Sequence, residues 1–210
     1  MSASILRSAI FVLIGLVALA LALIWRQAAT PAFETPGAPV RESGAALIGG
    51  PFTLTDHHGN KVTEAALGGH LTLVYFGYTS CPDVCPFELQ NMGAALDLLA
   101  AGNPENIRDV QIFFITVDPA RDSVAALADY TANFHANMTS LTGSAEQIAA
   151  AARVYRVYYG KIDDPSGAQS YVMDHSNIIY LMGRDGKFLT YFGAGTGPEQ
   201  IAQKLREYRK

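Results

Sequence analysis

Two runs of β-forming apolar residues, Leu71–Gly77 (LTLVYFG) and Val110–Val117 (VQIFFITV), do most to limit what this chain can fold into. Neither alternates polar with apolar, so each must be covered on both faces. Strands at the centre of a helix-flanked sheet meet that condition. Between them, Pro86 to Ala101 carries Leu89, Met92, Leu96 and Leu99 at helical spacing. Pro86 suits a first helical turn, and Gly102-Asn103-Pro104 ends the helix.

The remaining segments extend that unit. Pro51–Leu54 and Lys61–Thr63 flank Asp56-His57-His58-Gly59-Asn60, the pattern of a hairpin with a glycine-containing turn. Ser123 is placed to cap a helix reaching Phe134. Ser144, with Glu146-Gln147 in the next turn, caps another reaching Arg156. Asn177–Met182 and Lys187–Phe192 form a hairpin around Gly183-Arg184-Asp185-Gly186, and Gly197-Pro198 opens a terminal helix. Strand, helix, strand, then a hairpin and a last helix is the thioredoxin-like α/β arrangement, here with an N-terminal β-hairpin extension.

Ahead of this domain, Ala9–Trp25 is an unbroken apolar run of 17 residues between Arg7 and Arg26. It is long enough for a single transmembrane helix, which needs about 17–25 residues. A cleaved signal peptide, with an apolar region of about 7–15, is the rival. No cysteine lies near the run, which sets aside a lipid-modified anchor. Residues 28–46, rich in Pro, Ala, Gly and Ser, read as a flexible linker. The expected organisation is therefore an anchor over 1–27, a linker over 28–46 and a folded domain over 47–210. With half its residues hydrophobic, the chain can bury a core without disulfide staples. A net charge of -4 and no basic run exclude a nucleic-acid partner.

The two cysteines stand in Thr79-Ser80-Cys81-Pro82-Asp83-Val84-Cys85-Pro86, between the end of a buried strand and the start of a helix. Functional groups collect beyond the carboxyl ends of such strands. A helix N-terminus also favours thiolate over thiol, and only the thiolate attacks or ligates. A redox pair, a metal site and a pair of core thiols all remain open. Redox enzymes of this fold usually separate their cysteines by two residues; here there are three. Two soft thiolates favour Cu(I), and an added imidazole suits copper in either oxidation state. With two cysteines, a third ligand has to come from elsewhere. His175, in the loop Val172-Met173-Asp174-His175-Ser176-Asn177, enters a strand on the side facing the cysteine turn. His57, His58, His70 and His135 read as surface or structural groups, and Met173 as packing. Gly193-Ala194-Gly195-Thr196-Gly197 lacks the lysine of a phosphate loop.

Gly50-Pro51-Phe52-Thr53-Leu54, Tyr75–Pro86 (YFGYTSCPDVCP), Val117-Asp118-Pro119-Ala120-Arg121-Asp122 and Asp174-His175-Ser176 together resemble the SCO/SenC family, in the right order over about residues 48–209. The resemblance implies a thioredoxin-like copper chaperone tethered to the bacterial or the mitochondrial inner membrane. Such proteins help assemble the CuA centre of cytochrome c oxidase subunit II. For this chain it implies a bacterial inner-membrane protein with its C-terminal domain in the periplasm, loaded by an upstream copper donor. The family's cysteine ligands fall on Cys81 and Cys85, its histidine ligand on His175 and its acidic position on Asp118.

Asp118 supports two roles: steering a partner or biasing the site's charge, and ordering its loop by pairing with Arg121 or capping the helix near Ser123. Two other functions compete with the chaperone. In a thiol–disulfide reductase, Cys81 would attack and Cys85 resolve, keeping the oxidase's copper-site cysteines reduced. A peroxidase would need an arginine or threonine constellation around Cys81, and the sequence offers no evident one.

Overall fold

The computed structural model describes residues 19–20, 47–164 and 166–209. Apart from Leu19 and Ala20, the apolar run at 9–25 lies outside them, as does the linker at 28–46. Among the described residues no helix is long and apolar enough to cross a membrane. The chain divides into two units, Met1–Ala45 and Ala46–Lys210, and the second holds the fold.

Its strands are β1 Thr53–Asp56, β2 Lys61–Thr63, β3 Leu71–Gly77, β4 Val110–Thr116, β5 Met138–Thr142, β6 Tyr159–Ile162, β7 Val172–His175, β8 Ile178–Met182 and β9 Phe188–Gly193. Its helices are α1 Val84–Ala100, α2 Val124–Thr131, α3 Ala145–Val154 and α4 Pro198–Arg209, with short 3-10 turns at Glu64–Leu67 and Pro104–Ile107. Seven strands make one sheet in the order β2-β1-β5-β4-β3-β8-β9, and β6 and β7 pair separately. At the centre, β3 and β4 run parallel from Leu71↔Val110 to Gly77↔Thr116. Every residue of β3 is buried, as both faces being covered requires. Helix α1 packs against α4, α2 against β5 and α3 against β1. The core runs through Leu73, Phe76, Phe114, Leu96 and Tyr155, all fully buried. Each large apolar side chain removed from water this way contributes about 1.5–3 kcal/mol.

The helix caps follow the sequence signals. Ser123 accepts from the Ala126 N–H at 3.2 Å. Ser144 and Gln147 exchange side-chain and backbone bonds as a capping box. Other boundaries differ from expectation. Helix α1 begins at Val84 rather than Pro86, which draws Cys85 into its first turn. Pro86 permits this, because N–H groups in a first turn have no intrahelical partner to lose. Helices α2 and α3 stop short of Phe134 and Arg156, and β1 starts two residues after Pro51.

Two features were not expected. Strand β5, Met-Thr-Ser-Leu-Thr, runs parallel to β4 and antiparallel to β1. The segment expected as the His175 loop is instead strand β7, paired with β6 so that Tyr159 faces His175.

The edge of the sheet remote from the cysteines is tied by Asp109. Its backbone carbonyl accepts from Leu71 N–H at 2.8 Å. Its carboxylate meets Arg184, in the β8–β9 turn, and Arg209 of α4. Burial alone would raise this carboxyl, but the two guanidinium groups outweigh it and hold it below the usual range. A depressed carboxyl stabilises the fold only above its unfolded value and loses that contribution as pH falls through the folded one. Asp109→Asn should therefore cost on the order of 1 kcal/mol at neutral pH, as a partly exposed ion pair does. In urea unfolding the difference from the parent should fade below about pH 4; a difference that grows on acidification would refute this role.

Candidate metal centre

Cys81 and Cys85 lie just past the end of β3, one before and one inside the first turn of α1. Cys85 is fully buried and Cys81 is 9% exposed. Both are free thiols. The Asp83 side chain at the helix N-terminus makes no capping bond. The Cys81 sulfur substitutes, accepting from the Cys85 N–H at 3.4 Å. The Cys81 thiol is thereby lowered. The Cys85 side chain hydrogen-bonded to it contributes most, and the Cys85 and Asp83 N–H groups assist against the opposing effect of burial. Cys85 is raised, because it serves as donor to Cys81 and is itself buried. Thiolate is therefore favoured at Cys81 over Cys85.

His175, the last residue of β7, brings Nε2 within 3.5 Å of the Cys85 sulfur. Its Nδ1 lies 3.2 Å from the Ser176 carbonyl oxygen. A carbonyl can only accept, so this contact calls for the proton on Nδ1 and leaves Nε2 as the nitrogen turned towards the sulfur. That is the tautomer a metal-binding imidazole requires. Two tyrosines confine the ring edge-on, Tyr75 at 6.2 Å and Tyr78 at 5.9 Å between centroids.

The close fit of Cys85 against the sheet depends on Gly77. A Cβ there would come within 2.8 Å of the Cys85 sulfur and 2.8 Å of the Phe114 ring. Among the described residues, no three His, Cys, Asp or Glu side chains stand ready-made as a metal cage. The two sulfurs and the imidazole instead touch as hydrogen-bond partners. Donors at about 2.0–2.3 Å from one ion, spread trigonally, stand roughly 3.5–4 Å from each other. The Cys85–His175 separation of 3.5 Å already matches one edge of that triangle.

Asp118 is 1% exposed, and its carboxylate is shared between Arg121 and the Tyr171 hydroxyl, the latter at 2.9 and 3.1 Å. These contacts order the loop and leave almost no surface for a partner. The helix after Ser123 is capped by Ser123 itself. Thr79 is engaged by Asp122 through both its N–H and its hydroxyl, at 3.0 and 2.6 Å. His57 and His135 each use Nδ1 to accept a backbone N–H, from Ser140 and Asn137, in keeping with structural roles.

Sequence reasoning missed a buried polar chain behind the site. The Tyr75 hydroxyl lies 3.9 Å from the Cys85 sulfur and donates to Asn177 Oδ1 at 3.1 Å. Asn177 Nδ2 donates to Glu88, which also accepts from the Gly195 N–H at 2.9 Å. Glu88 is 1% exposed, and its Oε2 has no partner among the described residues. The available signal was its place three residues after Cys85, on the same side of α1 as Leu89 and Met92, where a carboxylate is costly to bury without a purpose.

The SCO1/SenC family model matches residues 40–210. The chain belongs to the SCO1/SenC family. Human "Protein SCO1 homolog, mitochondrial" is 42% identical over 176 residues, covering 81% of this chain. The chain spans only 57% of that relative's length. Solved SCO structures similar to this chain hold copper. Arabidopsis thaliana ScoI superposes with a TM-score of 0.71 at 40% identity, covering 77% of this chain and 98% of the other. Bradyrhizobium japonicum ScoI gives 0.68 at 41%, covering 77% and 99%. A third structure, BsSco (TM-score 0.60, 28% identical, covering 79% and 96%), is a Sco-family cytochrome c oxidase assembly protein with a disulfide switch. The SCO1/SenC fold of this chain is thus the thioredoxin-like one that its central strands and cysteine turn led us to expect.

Gly77→Ala should crowd Cys85 and destabilise the fold by about 1–3 kcal/mol, the usual cost of overpacking. Urea unfolding measures this, and a thiol reagent that spares Cys85 in the parent should label it in the variant. Unchanged stability and labelling would show that the sulfur has room to move.

Proposed function

We propose that this protein is a copper carrier. It binds one copper ion through Cys81, Cys85 and His175 and hands it to the CuA centre of cytochrome c oxidase subunit II, after loading by an upstream donor. The observation that carries this reading is the approach of the His175 Nε2 to the Cys85 sulfur, which stands beside Cys81 at the mouth of a helix. The donor set fits the cargo: thiolates select Cu(I), and the imidazole keeps Cu(II) acceptable. Three ligands leave the shell one short of a closed tetrahedron, so an incoming partner's donors can replace them stepwise. Copper in the related ScoI structures and the oxidase-assembly role of BsSco support the same reading.

The apolar run at 9–25 is long enough to anchor the chain. We assign it to a bacterial inner membrane, with the domain from residue 47 in the periplasm and residues 28–46 as its tether. A second reading, thiol–disulfide exchange, draws on the unequal thiols. Cys81, less buried and held towards thiolate, would attack, and Cys85 would resolve.

The test is titration of the reduced full-length chain with Cu(I) against a competing chelator, and with Cu(II) while following thiolate-to-copper charge-transfer absorption. The parent should hold one equivalent. Cys85→Ala and His175→Ala should each weaken binding by more than the roughly 10–100-fold lost when only an outer partner of a ligand is removed. Full affinity and an unchanged spectrum in His175→Ala would remove His175 from the site. Failure of the parent to compete for copper, with rapid disulfide exchange on a test substrate, would favour the reductase.

A further inference from the structure

The strands β6 and β7 pair only with each other, so no ladder to the main sheet fixes the start of the segment that carries His175. Its far end is secured where Asn177 meets Tyr75 and Glu88 and the chain enters β8. Its near end is secured by side chains from elsewhere, with Arg121 at their centre. Arg121, in the loop after β4, pairs through Nε with Asp118. Its Nη1 donates to Gln169 Oε1 at 2.8 Å and to the Tyr171 carbonyl at 3.1 Å. The guanidinium lies over the Tyr171 ring, 4.0 Å from its centroid, and 5.6 Å from that of Tyr78. Nη2 is buried without a partner among the described residues. Nε, Nη1 and the flat faces therefore do the holding.

These contacts join three separate stretches of chain. Gln169 continues the connection, its Nε2 donating to the carbonyl of Ser80, next to Cys81, at 3.1 Å. Tyr78 reaches His175 from the other direction, edge to ring. The Tyr171 hydroxyl returns to Asp118 and closes the circuit.

We propose that Arg121 is a positioning residue for the metal: it clamps residues 169–171 against the cysteine turn and so sets the distance from His175 Nε2 to the two sulfurs. This rests on the reading of His175 as a ligand. Arginine suits the task, because a planar fork can bond a carboxylate and two carbonyl-type oxygens while its faces stack on rings. A lysine ammonium cannot do all of these at once.

The test uses the reduced full-length chain and its Arg121→Met, Arg121→Lys, His175→Ala and Arg121→Met/His175→Ala variants. Cu(I) affinity is read by chelator competition, Cu(II) by its charge-transfer spectrum, and folding by thermal melting. Arg121→Met should weaken Cu(I) about 10–100-fold, the usual loss for a partner that orients a ligand. It should shift the Cu(II) spectrum towards that of His175→Ala and weaken binding little further when added to His175→Ala, the non-additivity of two groups acting as one. Arg121→Lys should restore only part of the affinity. Should Arg121→Met fold poorly, Gln169→Ala cuts the link to Ser80 while sparing the Arg121–Asp118 pair, and should move affinity and spectrum the same way by less. Multiplying losses in the double variant, or lowered melting with intact affinity and spectrum, would overturn the clamp alone. Parent-like copper binding by His175→Ala would overturn the ligand assignment and the clamp with it.

Discussion

The parallel ladder between β3 and β4 governs this molecule. Its seven paired positions end level, at Gly77 and Thr116, so the turns after both strands leave from the same edge of the sheet. One turn holds the cysteines, and the other holds Asp118, Arg121 and Asp122. Asp122 ties them together: it accepts from Thr79 in the first and from Thr116 at the end of β4. Burial raises the Asp122 carboxyl, and these donors only partly offset that effect. The cysteine turn is therefore held by a buried polar knot at one end and by helix α1 at the other.

On that frame the chemistry divides between rigid and less constrained parts. The cysteines belong to a strand–helix junction whose packing leaves no space for a Cβ at Gly77. His175 belongs to a two-stranded hairpin attached to the rest largely through side chains. An exchangeable metal site gains from this division. The thiolates stay in place, while the imidazole stands on an element whose position a few contacts determine. The chain Tyr75–Asn177–Glu88 and the circuit through Arg121 are those contacts, one on each side of His175.

Much of this was legible in order along the chain. Apolar runs marked β3 and β4, serines marked the starts of α2 and α3, and glycine-rich turns marked the hairpins. Strand β5 was not legible, because Thr139, Ser140 and Thr142 look like loop residues. Two of them are buried and acceptable only because the fold supplies partners: the Thr131 hydroxyl for Ser140 at 2.5 Å, and the Asp122 carbonyl for Thr142 at 2.9 Å. The β6–β7 hairpin was missed for a similar reason. Its stability depends on Lys161 and Arg121 stacking on Tyr171, contacts that no local pattern announces.

By itself, the sequence determined the class of fold, the place of the cysteines at a strand–helix junction, and the kind of donor that could join them. Local periodicity and local chemistry carry that information, because they act between near neighbours. The tertiary structure alone decided the reach of His175, the burial of Asp118, and the presence of Glu88 and Asn177 behind the sulfurs. Each depends on residues up to 107 positions apart, Glu88 and Gly195 being the extreme, brought together by the sheet order. A chain read one window at a time holds no record of such distances.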